Sequence, residues 1–160
     1  KKNELLKLYN EGNDQTKEFF LIMFSMPRSS KKELISNIDS NFDKINLLKT
    51  SYLKFVPKDY MVSIEFNSAD KIGSTKESID LGIEHKYNKQ TDYKKEWNLE
   101  YNSKVLAEMI KPLGWTNETL TTIKKLLADA NCVSIENGDI TTIGFARSGM
   151  GKYFFKFESR

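Results

Sequence analysis

The sequence predicts an α+β fold in which an antiparallel sheet of about five strands carries helices on one face. Three observations lead there. The stretch Cys132 to Arg160 alternates apolar and polar residues in three short runs, divided by Asn137-Gly138 and by the loop Arg147-Ser148-Gly149-Met150-Gly151-Lys152. Two more alternating runs lie mid-chain, and the other periodic segments repeat near 3.6 residues rather than 2. With 160 residues, 39% hydrophobic and 29% charged, and no linker or low-complexity tract, residues 1–160 read as one domain. A cone-like curved sheet enclosing a pocket is the alternative that the same order of elements permits.

Asn3 to Asn10 places Leu5, Leu8 and Tyr9 at helical spacing before Gly12. Asp14 caps a second helix, in which the unbroken run Phe19 to Phe24 predicts a central buried element. Ser30-Lys31-Lys32-Glu33 is a capping box that opens a third helix. Its stripe of Leu34, Ile35, Ile38, Phe42, Ile45 and Leu48 should pack on the sheet, with Asp39-Ser40-Asn41 as its weak point. Tyr60 to Phe66 and Ile79 to Tyr87 then alternate as strands with one wet face. Trp97, Tyr101, Val105 and Met109 recur every four residues and predict a helix ending at Pro112. Thr116 caps the next helix, with Trp115 placed to staple on Leu120, and Asn131 is suited to a left-handed terminus. Asn137-Gly138 reads as a two-residue hairpin turn between the first two C-terminal strands, and Tyr153, Phe155 and Phe157 mark the last strand.

The bulk composition narrows the chemistry. Twenty-five basic and 22 acidic residues, interspersed, give a formal charge of +3 and no concentrated field for nucleic acid. One cysteine, Cys132, rules out an intrachain disulfide and the cysteine-rich zinc modules, so a buried, inert thiol is expected. One histidine leaves no nitrogen-rich metal set, and neither a metal nor a cofactor is expected. The longest apolar run is too short for a transmembrane segment. The chain starts without Met, which leaves room for a removed export or lipoprotein signal and hence an extracytoplasmic location; otherwise the location is cytoplasmic.

Two places invite a functional reading. Arg147, Gly149, Gly151 and Lys152 share one tight turn. Its Gly-x-Gly-Lys letters are not a phosphate-binding P-loop, because Tyr153 follows the lysine and a strand rather than a helix continues. Successive amides with two cations would make a small anion nest, whereas a plain hairpin turn would use the glycines for their backbone freedom alone. His85 is the side chain best suited to general base chemistry. Alternation with Ile83 and Tyr87 turns it toward the apolar layer, while Asp80 and Glu84 fall on the other face. No nucleophile motif accompanies Cys132 or any serine.

The resulting expectation is a non-enzymatic binding or interaction protein whose partner is another protein or a small anionic ligand. The competing expectation is a small-molecule enzyme with a pocket between sheet and helices, using His85.

Overall fold

The computed structural model describes residues 2–25, 29–68, 76–87, 93–148 and 151–158. Helices α1 (Lys2–Glu11), α2 (Asp14–Ser25) and α3 (Lys31–Phe55) lead into strands β1 (Tyr60–Asn67), β2 (Ser78–His85) and β3 (Lys94–Leu99). After them come α4 (Lys104–Ile110), a 3₁₀ turn (Lys111–Leu113), α5 (Asn117–Asp129), β4 (Ser134–Glu136), β5 (Ile140–Ser148) and β6 (Gly151–Glu158). The strands form one six-stranded antiparallel sheet in the order β3-β2-β1-β4-β5-β6. The α+β class and the antiparallel sheet expected from the sequence are therefore present, with one strand more than the count of about five.

Register gives the sheet two unlike faces. Leu81, Ile64, Ile135, Ile143 and Phe155 stand opposite one another in a single row across five strands. All five are buried and belong to one core with Ile45, Leu48 and Tyr52 of α3 and Leu120, Ile123 and Leu127 of α5. Removing these side chains from water on one face is the main stabilising term, at about 25 cal/mol per Å² of apolar surface. Among the described residues the opposite face carries no helix-packed row, and it holds the polar residues considered below.

Local signals explain most of the element ends. The Ser30 and Thr116 capping boxes are both formed, Thr116 with Thr119 as its reciprocal partner. Asn131 takes φ 51° where α5 ends, and Gly114 takes φ 65° between the 3₁₀ turn and α5. Helix α3 is kinked at Asn41 (φ −124°, ψ 19°), where the run of poor helix formers lies. Beyond the kink Ile45, Leu48 and Tyr52 face inward, while Ile35 and Phe42 stay half exposed.

Four expectations are corrected. Helix α2 is not a buried central element: Phe19, Leu21 and Phe24 are each more than half exposed, and the helix packs on α1 with Tyr9 and Phe20 edge to edge. Its cap is Asn13, whose Oδ1 accepts the Thr16 N–H at 2.9 Å, one residue earlier than Asp14. The helix expected from Trp97 begins only at Lys104, capped by Ser103, and Trp97 lies on β3. Asn98 (φ 55°) and Asn102 (φ 64°) interrupt that segment in the left-handed region, which no helix accommodates. Trp115, in the same core as Leu120, also docks on α3: its Nε1 donates to the Phe55 carbonyl at 2.8 Å and its ring meets Tyr52 edge-on.

Asn137-Gly138 is the fourth case. Neither residue has positive φ, so the loop is not the mirror-image two-residue turn expected from the letters. Asn137 is buried instead and works as a strand substitute. Its Oδ1 accepts the Val62 N–H at 2.6 Å and its Nδ2 donates to the Tyr60 carbonyl at 3.0 Å, continuing the pairing of β1 where β4 stops.

Candidate functional site

The helix-free face of the sheet is built from two registered rows. One runs Lys95, Gly82, Ser63, Glu136, Thr142, Lys156 across all six strands. The other runs Asp80, Glu65, Ser134, Gly144, Phe154 across five. Each row places a glycine directly opposite a serine. A methyl group added to Gly82 would lie 2.5 Å from Ser63 Oγ, and one on Gly144 would come closer still to Ser134 Oγ. Glycine within a strand weakens it and commonly marks a close approach by another group. Here the two glycines and their serines strip the centre of the face of bulk.

Larger groups rise around that floor. Trp97 stands on β3 and Phe154 on β6, exposed to 59% and 43% respectively. Between them lies a hollow of about 160 Å³, which continues past Ser63 and Gly82 into a more open one of about 440 Å³ bounded by Tyr93 and Glu84. Carboxylates outnumber cations along it. Asp80 accepts the Asn98 N–H at 2.8 Å, an interaction that fixes the irregular end of β3. Lys95 lies 5.2 Å from the centre of the Trp97 ring.

Lys152 and Glu65 form an ion pair on this face, only 21% and 10% exposed at their side chains. Three strand spacings, about 14 Å in a flat sheet, separate β6 from β1, so the two side chains must reach toward each other. The bare Gly144-Ser134 step lies in that path. Lys152 is thus held over the sheet by a carboxylate, with the Phe154 ring 5.8 Å away. Of the other turn residues, Gly151 begins β6, Arg147 pairs with Lys152 in the ladder, and Gly149 and the Arg147 side chain lie outside the described residues.

His85 is elsewhere. It sits at the end of β2 on the helix side, edge-on to Tyr60 at 5.0 Å and to Tyr87 at 6.0 Å, and its Nδ1 accepts the Tyr87 N–H at 3.4 Å. It does not line either hollow. Cys132 is a buried residue of the α5–β4 connection, where burial pushes its thiol up to about 12 despite the Asn37 amide at 3.9 Å. At neutral pH it holds its proton, and its Sγ points at the Ala130 carbonyl at 3.3 Å. Among the described residues no three of His, Cys, Asp and Glu converge as a metal site, and no helix is long and apolar enough to cross a membrane.

The groove residues could not be singled out along the chain. The one local trace is a glycine inside each of two alternating runs, Gly82 and Gly144. Compared with protein families, curated proteins and solved structures, the chain matches none.

Proposed function

We propose that the protein is a non-enzymatic binding domain whose ligand surface is the helix-free face of the sheet, centred on the Gly82-Ser63 and Gly144-Ser134 steps. The observation that carries this reading is Gly82, a glycine within a sheet strand that faces Ser63 under a hollow walled by Trp97 and Phe154. A face that met only water would gain from a larger β-former at that position.

The chemistry of the groove favours a small polar ligand rich in hydrogen-bond donors, cationic or hydroxylated, with one flat side for the indole. Glu136, Glu84 and Asp80 face it, against Lys95. Lys152, which belonged to the expected anion nest, is already neutralised by Glu65 and adds little attraction for an anion. Aromatic walls over acceptor-rich floors suit amino sugars, polyamines and short basic peptides.

The test uses glucosamine oligomers, spermidine and tri-lysine as probes, added to ¹⁵N-labelled protein. Amide shifts should cluster at Ser63, Gly82, Ser134 and Glu136 for at least one probe and vanish in Trp97→Ala. Shifts that avoid this face for every probe, or that persist unchanged in Trp97→Ala, would overturn the reading.

A further inference from the structure

The outermost strand β6 has a sequence that complements itself. Its residues Tyr153, Phe155 and Phe157 belong to the helix side, while Lys152, Phe154, Lys156 and Glu158 belong to the open side. Only β5 flanks it, so its other backbone edge is an unpaired row of N–H and C=O groups among the described residues. The opposite edge of the sheet differs. Strand β3 carries adjacent lysines, Lys94 and Lys95, and a register shift beside Asn98 at φ 55°, features that blunt an edge. The single irregularity in the β5–β6 ladder falls between Gly144 and Ala146 of β5, so β6 itself remains regular.

We infer that β6 pairs antiparallel with β6 of a second copy of this chain, about a two-fold axis that sets Phe155 opposite Phe155. In that register each Lys156 faces a Phe154 on the open side, where Glu158 lies opposite a Lys152 whose charge Glu65 already offsets. Tyr153 faces Phe157 on the helix side. Cross-strand aromatic and cation–aromatic pairs are favourable ones. The neighbouring registers that keep both sheets facing the same way fail. A shift of two residues one way brings Lys152 against Lys156 twice, and a shift the other way sets Lys156 against Lys156. Like charges directly opposite are destabilising, so the same residues that accept one register reject the two beside it. A two-fold axis perpendicular to the sheet leaves both grooves on the same side of the joined sheets. The pairing is independent of what the groove binds.

The intact chain should show a reversible monomer–dimer equilibrium by sedimentation equilibrium over about 10 μM to about 1 mM. Phe154→Lys, at an exposed position, should weaken association by roughly tenfold or more through new like-charge pairs with Lys156, in a chain that still unfolds cooperatively. Register is read by oxidative cross-linking in a Cys132→Ala background. A mixture of Phe154→Cys and Lys156→Cys chains should cross-link faster than either alone. A chain that stays monomeric throughout, a dimer indifferent to Phe154→Lys, or fastest cross-linking by Phe154→Cys alone or Lys156→Cys alone would overturn the inference.

Discussion

Lys152 and Glu65 meet across a sheet rather than along one strand, and the residues between them make that contact affordable. Neither Gly144 nor Ser134 presents a side chain tall enough to block the lysine stem, and the Phe154 ring covers part of it. Both charges are largely withdrawn from water, so each depends on the other. Removing one partner leaves an uncompensated, mostly buried charge, whereas replacing both removes the desolvation cost as well. Glu65→Ala should therefore cost about 2–4 kcal/mol, and Lys152→Met in that background should recover a sizeable part of it. Urea denaturation of the four members of the cycle gives the coupling energy directly. A cycle that closes with no coupling would mean that the two side chains are solvated independently. The same pair engages the lysine of the Arg147–Lys152 turn.

Among the elements, the short strand β4 depends most on a single side chain. It contains three residues, Ser134–Glu136, and the next residue, Asn137, continues the bonding to β1 through its carboxamide. Asn137→Ala would orphan the Val62 N–H and the Tyr60 carbonyl, at a cost of about 3 kcal/mol for two buried backbone groups. Asn137→Asp would keep the acceptor and lose the donor, and should fall between the two in urea midpoint with the slope unchanged. The Ser30 and Thr116 caps, β1, β2 and the three C-terminal strands were legible in the sequence because each signal there is local: a Ser or Thr three residues before its partner, or strict alternation. Strand β3 was not. Trp97, Tyr101, Val105 and Met109 imitate a helical stripe, and pairing with β2 together with the positive φ of Asn98 and Asn102 separates strand from helix. Asn137-Gly138 failed for a related reason: burial of the asparagine against β1 outweighed its turn preference. The groove was illegible for a different reason again. Its rows consist of residues from up to six strands, and no window of sequence holds Asp80, Glu65, Ser134, Gly144 and Phe154 together.

At the scale of the molecule, the apolar residues divide into two unequal sets. One is the buried core, in which α3 and α5 are packed between each other and the sheet. The other is the α1–α2 pair, where Leu5, Leu6, Leu8, Phe19, Leu21 and Phe24 are all at least 43% exposed. Helices of ten and twelve residues are marginal in water without tertiary packing, and these two meet each other through Tyr9 and Phe20. Local opening of this pair exposes little of the core, so it should be far cheaper than global unfolding. Hydrogen exchange should accordingly show protection in α1 and α2 at least about 100-fold below that at Leu48, Ile64 and Ile143. By the same argument, deleting residues 1–28 should move the melting temperature of the remainder by no more than a few degrees. Equal protection in both sets, or a collapse of stability on deletion, would show that the two helices are energetically part of the core.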